Sequence, residues 1–223
     1  MRAMILAAGR GERMGEMTLV KPKPLLRARG HYLIEYVIQH LKQAGITDII
    51  INVAYLGDQI IKALGSGSRY GVNIEYSVEE NRLETGGGML KALPMLGSQP
   101  FVLVSADVIS EFPLPSLPKQ LSGLAHLVLV PNPGFKPEGD FGLRDGLVDM
   151  DAKPSYTFGN ISVIHPDLFD GCSPGYFPLS QLLFPAIREG RVTGEIYQGK
   201  WFNIGTQEQL AEFAAVSENL MKC

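Results

Sequence analysis

Short apolar runs alternate with helical patterns along the first half of the chain. Strand-like runs, most of them continuously apolar as in strands buried on both faces, lie at residues 2–7, 48–54, 72–78 and 101–105. Between these runs, apolar side chains recur at helical spacing in residues 32–43, 57–64 and 85–96. The alternation of strand and helix predicts an α/β fold with a doubly wound, mostly parallel sheet.

The pattern changes near residue 124, where shorter strand-like runs are separated by turns. These runs lie at residues 125–130, 141–144, 147–150 and 158–164, and a final helix is predicted at 207–220. We expect the second half to extend the sheet with antiparallel or mixed strands that wall a site. Since the sequence has no internal repeat and no low-complexity linker, residues 1–223 are expected to form a single domain.

Composition narrows the classes of protein that this chain can represent. Its 223 residues are 45% hydrophobic and 19% charged, which is typical of a globular domain. The net charge of −3 lacks the basic surplus of a nucleic-acid binder, and no stretch approaches the roughly 18 apolar residues of a membrane span. Two cysteines cannot form a disulfide framework, and the first apolar run is shorter than that of a signal peptide. We therefore expect a cytoplasmic protein without a nucleic-acid or membrane partner.

The loop after the first predicted strand carries the strongest chemical signal. It reads Leu-Ala-Ala-Gly-Arg-Gly-Glu-Arg-Met over residues 6–14, and Lys-Pro-Lys-Pro-Leu follows over residues 21–25. Glycines let backbone N–H groups approach a phosphate, and Arg13 and Lys23 supply two full positive charges to the same anion. Prolines on both sides of Lys23 restrict its backbone. Together these residues predict a polyphosphate site.

Two other phosphate-binding motifs match this loop poorly. A dinucleotide fingerprint requires a third small residue, and a Walker loop requires Gly-Lys followed by Ser or Thr; the loop has neither. An NAD-dependent oxidoreductase is therefore disfavoured. The Gly-x-Gly fragment alone is equally compatible with a plain glycine-rich turn, and it is the added Lys-Pro-Lys-Pro-Leu segment that favours phosphate binding.

These two segments resemble the signature of the sugar-1-phosphate nucleotidyltransferases. The resemblance covers nearly the whole chain, continuing through Glu-Thr-Gly-Gly-Gly at 84–88, Ala-Asp-Val at 106–108, Gly-Asp-Phe at 139–141, Ile-Ser-Val-Ile-His-Pro at 161–166 and Trp-Phe-Asn-Ile-Gly-Thr at 201–206. It implies a Rossmann-like fold of the nucleotide-diphospho-sugar transferase type. A nucleotide-binding half, 1–123, would be joined to a sugar-binding β extension and a C-terminal helix in 124–223.

The resemblance implies transfer of a uridylyl group from UTP to a sugar 1-phosphate with release of pyrophosphate. We expect N-acetylmuramate α-1-phosphate as the acceptor, in peptidoglycan recycling, and a monomer or small homo-oligomer. Because the attacking phosphate is already an anion, the reaction requires positioning and charge neutralisation rather than a protein base. Two alternatives stay open: glucose- or mannose-1-phosphate with dTTP, UTP or GTP, and a nucleotide-binding module with weakened or lost catalysis.

Mg²⁺ is the cofactor that the resemblance implies, with Asp107 as its ligand. The position of Asp107 supports this role independently, because ligands of doubly wound sheets bind beyond the carboxyl ends of the strands. Mg²⁺ is usually held by one or two carboxylates plus substrate phosphates. A lone aspartate after a strand also caps turns, which is the structural alternative. The second implied ligand is Asn203, where the family commonly has aspartate, so the metal is expected to bind more weakly.

The other implied site residues surround the two substrates. Arg13, Lys23 and Asp107 form the implied catalytic set. The sugar-binding roles fall on Asp140 and Asn160, although polar loop residues of this kind are equally often structural. The implied nucleotide-binding residues are Ala8, Gly9, Gly11, Glu12, Arg13, Lys23, Gly86 and Ser105.

Two further positions depart from the family pattern. Ala106 stands where a glycine is usual before the aspartate. Ala152 replaces the glutamate of a Glu-Lys-Pro segment that contacts sugar hydroxyls in many relatives. We hypothesise that this change makes room for the acidic O3 substituent of N-acetylmuramate, which Lys153 or Lys136 would approach.

The remaining polar residues are assigned structural or surface roles. The histidines are scattered, without the spacing of a metal site or a catalytic triad. A solvated acidic stretch is predicted at Glu79, Glu80 and Glu84, with a contribution of Glu84 to the base pocket as the alternative.

Overall fold

A mixed sheet of nine strands forms the centre of the computed structural model, which describes residues 1–215. Two further pairs of strands, β2 with β3 and β7 with β13, form small separate sheets. In chain order, the strands of all three sheets are β1 (Ala3–Leu6), β2 (Arg27–Ala28), β3 (His31–Tyr32), β4 (Asp48–Val53), β5 (Asn73–Val78), β6 (Phe101–Ser105), β7 (Val108–Ser110), β8 (Ala125–Val130), β9 (Gly142–Arg144), β10 (Leu147–Asp149), β11 (Thr157–Ile164), β12 (Val192–Ile196) and β13 (Trp201–Asn203). The α-helices are α1 (Met17–Val20), α2 (Leu33–Gln43), α3 (Gly57–Leu64), α4 (Glu84–Leu96), α5 (Ser180–Arg188) and α6 (Gln207–Ala215).

The order of strands in the large sheet is β5-β4-β1-β6-β11-β8-β12-β10-β9. Strands β5, β4, β1 and β6 pair in parallel, whereas β11 runs antiparallel to both β6 and β8. Beyond β8 the pairing is mixed, with a parallel β12 and antiparallel β10 and β9. The predicted α/β class, with a parallel first half and a mixed extension, is therefore confirmed.

Helices cover both faces of the sheet. Since alternate side chains of each strand point to opposite sides, one strand can contribute to the core on either face. In β1, Ala3 and Ile5 pack into one core with α2 and α3. Met4, between them, packs into a second core with α4 and α5. This burial on both faces explains why β1 reads as a continuous apolar run rather than an alternating one.

The sequence pattern located the long elements of the first half and missed several shorter elements in both halves. The predicted helices 32–43, 57–64 and 85–96 are confirmed as α2, α3 and α4 to within one residue. The elements that were not predicted are the helices α1 and α5 and the strands β2, β3, β7, β12 and β13. Strands β7 and β13 have three residues each and pair with one another from distant parts of the chain, so local periodicity cannot reveal them. The predicted final helix begins at Gln207 as expected, and its last five residues lie outside the described part.

Within residues 1–215, none of the helices has both the length and the apolar character needed to cross a membrane.

Candidate active site

The loop after β1 forms one wall of a cavity of about 370 Å³ at the carboxyl ends of the parallel strands. This is the edge at which doubly wound sheets bind their ligands. The first cavity is lined by Leu6, Ala7, Ala8, Gly9, Arg10, Gly11, Glu12, Arg13, Lys23, Pro24, Asn52, Glu79, Arg82, Glu84, Thr85, Ser105, Ala106, Asp107 and Gly205.

Gly11 holds the loop in a shape that brings Lys23 to the cavity. Its backbone has φ 67°, a left-handed conformation that favours glycine. A Cβ atom at this position would lie 2.8 Å from Cβ of Lys23, so any larger residue would push the lysine stem away. Gly9, in contrast, has nothing within 4 Å of an added Cβ, which leaves the neighbouring backbone accessible to a ligand.

Lys23 and Asp107 form a salt bridge inside this cavity. Lys23 begins a 3-10 turn, Lys23–Leu25, and is 9% exposed, while Asp107 follows the end of β6. The Asp107 carbonyl accepts a 3.0 Å hydrogen bond from Ile204 N, which holds the segment after β13 against it. The structure thus brings together two charged residues that the sequence separates by 84 positions.

Arg13 lies on the same cavity and packs against Gly205. A Cβ atom on Gly205 would come within 2.9 Å of the Arg13 Nη2 atom. The absence of a side chain at Gly205 therefore leaves room for the guanidinium group. Arg13, Lys23 and Asp107, the implied catalytic set, all line this one cavity.

Glu79 is buried, so the predicted solvated acidic stretch was wrong at this residue, whereas Glu80 is exposed. Glu79 is 4% exposed, and its Oε1 atom accepts a 2.7 Å hydrogen bond from the Asn52 amide. Asn52 in turn accepts a 3.0 Å hydrogen bond from Ala7 N at the start of the loop. The other oxygen of Glu79 accepts a 3.1 Å hydrogen bond from Leu83 N. Sequence periodicity did not indicate this burial, because Asn52 lies on β4, far from Glu79 in the sequence.

The glycines at the start of α4 serve close packing. A Cβ on Gly87 would lie 2.0 Å from the carbonyl oxygen of Gly175, and one on Gly86 would lie 2.4 Å from the ring of Phe177. Gly86 N donates a 3.0 Å hydrogen bond to Phe177 O. Gly86 lies outside the lining of the first cavity, whereas its neighbour Thr85 belongs to it. The expected contact of Gly86 with the base remains a prediction.

Glu84 begins α4 with a left-handed backbone at the rim of the first cavity. Its φ of 62° is uncommon for a residue other than glycine. The carboxylate pairs with Arg82 at 2.5 Å and accepts a 3.0 Å hydrogen bond from Tyr176 Oη. That hydrogen bond raises the pKa of the Tyr176 hydroxyl above its ordinary value. Glu84 is therefore held in place at the cavity rim. A contribution of Glu84 to the base pocket, the alternative to a solvated role, requires such a position.

A second cavity of about 350 Å³ adjoins the first and shares Leu6, Thr85 and Ser105 with it. Its walls are mainly apolar and aromatic. It is lined by Leu6, Thr85, Leu103, Ser105, Phe135, Lys136, Asp140, Phe141, Met150, Thr157, Phe158, Asn160, Pro178, Leu179, Ser180, Leu183, Phe184 and Asn203.

Asp140 and Asn160, the implied sugar-binding residues, both line this second cavity. Asp140 forms a salt bridge with Lys136 and accepts a 2.9 Å hydrogen bond from Phe158 N. Asn160 has φ 54° and lies where the register between β11 and β8 shifts between Phe158 and Ser162. Such an irregularity re-aims a side chain out of the regular strand alternation.

Ala152 and Lys153 lie outside the described lining of both cavities. Ala152 is buried, its N–H donates to Asp149 at 2.9 Å, and its carbonyl oxygen would be 2.2 Å from a Cβ on Gly142. The expectation that a small residue at position 152 opens space for the sugar is therefore not supported by this packing. Of the two lysines considered, Lys136 lines the second cavity.

Oxygen donors for a hard cation come from both cavities. Asp107 lines the first cavity and Asn203 the second, and β13 brings them close because Asn203 is paired with Val108. Residues 1–215 contain no group of three or more His, Cys, Asp or Glu side chains arranged to hold a metal. One carboxylate and one amide oxygen fit a cation such as Mg²⁺ that is held jointly with substrate phosphates.

Comparison with known proteins gives a consistent result. Residues 2–144 match the family model of the nucleotidyl transferases. An N-acetylmuramate alpha-1-phosphate uridylyltransferase from Neisseria meningitidis serogroup B is 45% identical over 97% of this chain and 98% of its own length. A protein of the same name from Caulobacter vibrioides is 28% identical over 97% of both chains. A solved structure from Bacillus anthracis, described as a glucose-1-phosphate thymidylyltransferase in complex with sucrose, shares the fold: the TM-score is 0.82 at 22% identity, covering 98% of this chain and 97% of that one.

Proposed function

Because the chain belongs to the nucleotidyl transferase family, we propose that it transfers a uridylyl group from UTP to N-acetylmuramate α-1-phosphate, yielding UDP-N-acetylmuramate and pyrophosphate. The observation that carries this proposal is the pair of adjoining cavities, one polar and one largely apolar, that meet at Leu6, Thr85 and Ser105. The polar cavity suits a charged nucleotide, and the largely apolar cavity suits an acylated sugar. Because the cavities adjoin, the phosphate of the sugar can reach the α-phosphate of the nucleotide. Two relatives of nearly the same length, named for this reaction, support the choice of substrates.

The first cavity would hold UTP. Accessible backbone at Gly9 allows the phosphates to approach the loop, and Arg13 and Lys23 supply positive charge at the same wall. Ala8, Gly11, Glu12 and Ser105 also line this cavity and complete the proposed nucleotide site. Residues 1–123 accordingly act as the nucleotide-binding half.

The second cavity would hold the sugar. Asp140 and Asn160 offer hydrogen-bonding groups for sugar hydroxyls, and aromatic and aliphatic side chains offer a surface for acyl substituents. The second half of the chain accordingly contributes most of the sugar-binding lining, while Leu6, Thr85 and Ser105 lie at the junction with the nucleotide cavity.

Mg²⁺ is the proposed cofactor, with Asp107 and Asn203 as its protein ligands. When bound, the cation neutralises charge on the triphosphate and the acceptor phosphate. Lys23 pairs with the Asp107 carboxylate, so each group compensates the charge of the other in a partly buried site. The UTP phosphates would then share Lys23 and release the carboxylate for its role as a ligand.

The proposed reaction is an in-line displacement at the α-phosphorus of UTP. An oxygen of the sugar phosphate forms the new P–O bond, the bond between the α-phosphorus and the bridging oxygen to the β-phosphorus breaks, and pyrophosphate leaves with that oxygen and its electron pair. No proton needs to be removed, because the nucleophile is an anion at neutral pH. Lys23 and Arg13 hold and neutralise the triphosphate, and Asp140 and Asn160 orient the sugar so that the two phosphates meet.

A pyrophosphate-release assay across nucleotides and sugars tests this proposal. UTP, dTTP and GTP would each be combined with the 1-phosphates of N-acetylmuramate, N-acetylglucosamine, glucose and mannose, with Mg²⁺ present. We expect the highest kcat/KM for UTP with N-acetylmuramate α-1-phosphate. A higher value for another pair would overturn the assignment of substrates.

A loss of catalysis would be recognised by a different pattern. A ligand that binds the folded state raises Tm by mass action even when no turnover occurs. Stabilisation by UTP without pyrophosphate release at any Mg²⁺ or Mn²⁺ concentration would identify a nucleotide-binding module and contradict the proposed transfer.

A further inference from the structure

We propose that Lys136 determines the specificity for an acidic acceptor by binding the carboxylate that distinguishes N-acetylmuramate from other N-acetyl sugars. The inference deepens the proposed function and rests on it. It concerns the wall of the second cavity, which is formed by the loop between β8 and β9.

Charge in the second cavity is confined to two residues. Among its described lining residues, only Lys136 and Asp140 are charged, and most of the others are apolar or aromatic. A carboxylate that enters a largely apolar cavity loses hydration, so it requires a cation to compensate for that loss. Lys136 supplies this cation at the second cavity, while Arg13 and Lys23 line the first.

Asp140 keeps the Lys136 ammonium group at the cavity without using all of its donors. One oxygen of Asp140 pairs with Lys136, and the other is fixed by the 2.9 Å hydrogen bond from Phe158 N. An ammonium group has three N–H donors, so Lys136 can bind a second carboxylate while the first still orients it. The cation is therefore positioned before the sugar arrives.

The loop that carries Lys136 is itself anchored. The Asn132 amide nitrogen donates to Pro137 O at 3.0 Å and to Ser155 O at 3.2 Å, and its oxygen accepts a 3.0 Å hydrogen bond from Thr157 Oγ1. These bonds close the loop and tie it to the segment leading into β11. Such preorganisation lowers the entropic cost of binding a ligand.

Phe135, next to Lys136, adds an aromatic face to the same wall. It lines the second cavity and is 54% exposed, an unusual exposure for phenylalanine that leaves its ring open to a ligand. A sugar ring with an acidic ether substituent presents an apolar face and a carboxylate, which match an adjacent aromatic ring and ammonium group. Neutral sugars would use only the first of these contacts.

Substitution of Lys136, with Lys153 as the matched control, tests the inference. Lys153 is an exposed lysine outside the described lining of both cavities. For wild type, Lys136→Gln, Lys136→Arg and Lys153→Gln, kcat/KM would be measured with UTP and the 1-phosphates of N-acetylmuramate and of N-acetylglucosamine, which lacks the acidic substituent. The readout is the ratio of the two values, which a general loss of folding or of catalysis does not change.

In Lys136→Gln we expect this ratio to fall about tenfold, chiefly through a higher KM for the acidic sugar, because a partly exposed charge-assisted contact is lost. Lys136→Arg should recover most of the ratio, and Lys153→Gln should keep the wild-type ratio. An unchanged ratio in Lys136→Gln, or an equal fall in Lys153→Gln, would overturn the inference. Failure of the proposed function is distinguishable in wild type alone, which would then transfer uridylyl groups to neither sugar or more efficiently to N-acetylglucosamine 1-phosphate.

Discussion

Asn52 and Glu79 are joined by a hydrogen bond of 2.7 Å behind the loop that follows β1. Both residues are almost fully buried and both line the first cavity. Through Asn52 the bond reaches the backbone of Ala7, and through Glu79 it reaches the backbone of Leu83 just before α4. A buried polar chain thus couples the proposed phosphate-binding loop to the helix on the other side of the cavity.

Glu79→Ala should destabilise the protein by about 1–3 kcal/mol, because it leaves the Asn52 amide and Leu83 N without their acceptor in a buried place. Urea denaturation would measure the loss. The exposed neighbour Glu80 provides the control, and Glu80→Ala should change stability by less than about 0.5 kcal/mol. Equal effects of the two substitutions would show that the buried chain contributes nothing.

Lys23→Met should lower kcat/KM for uridylyl transfer by about 10²- to 10³-fold, the usual effect of removing one preorganised charged donor. Methionine retains much of the apolar stem that packs on Gly11. The variant should also lose most of the increase in Tm that UTP causes in wild type. Lys21→Met is the control, since Lys21 lies outside the described cavity lining and over the ring of Tyr32. Comparable losses in both variants would contradict the assigned role.

Asn203→Asp should lower the Mg²⁺ concentration required for half-maximal transfer several-fold, because a carboxylate adds negative charge where an amide has none. Titration of Mg²⁺ at fixed UTP would give this concentration for wild type and variant. If Asn203 took no part in metal binding, the two titration curves would coincide.

Gly87→Ala should destabilise the protein by about 1–3 kcal/mol, although alanine normally stabilises a helix relative to glycine. The reason is the 2.0 Å approach of an added Cβ to the carbonyl oxygen of Gly175. Gly175→Ala changes the other partner of this contact, yet its Cβ would meet nothing within 4 Å, so it should be tolerated. Thermal unfolding distinguishes the two; a stabilised Gly87→Ala variant would refute the steric argument.

His40 should make the protein less stable in mild acid. Burial lowers the pKa of His40 below 6.5, despite the 2.7 Å hydrogen bond to Phe112 O, which acts in the opposite direction. Below about pH 6.5 the unfolded chain therefore binds a proton that the folded chain rejects, and the free energy of unfolding falls as the pH falls toward the folded-state pKa.

Comparison with His40→Gln measures this contribution. The glutamine amide can still donate to Phe112 O, and it does not titrate. The free energy of unfolding of wild type, relative to His40→Gln, should decrease between pH 7 and pH 5 and stay constant between pH 7 and pH 8. A constant difference over the whole range would exclude the partly buried His40 as the source of acid sensitivity.

The sequence by itself determined the parts of this protein that depend on neighbours along the chain. The alternation of buried strands and amphipathic helices was enough to predict β1, α2 and α4, because periodicity reflects local geometry. The Gly-x-Gly loop and the lysine between two prolines predicted phosphate binding, because each motif is a short run of neighbouring residues. Both signals lie within 25 residues of the start.

Only the tertiary structure decided which distant residues meet. It paired Lys23 with Asp107, buried Glu79 against Asn52, packed Gly86 on Phe177, and placed Lys136 rather than Lys153 on the second cavity. These contacts depend on strand order and on the close approach of separate segments, which a residue's own chemistry does not specify. Glu79, for example, is predicted to be exposed from its own chemistry, and its burial is possible only because Asn52 on β4 supplies a hydrogen-bond donor.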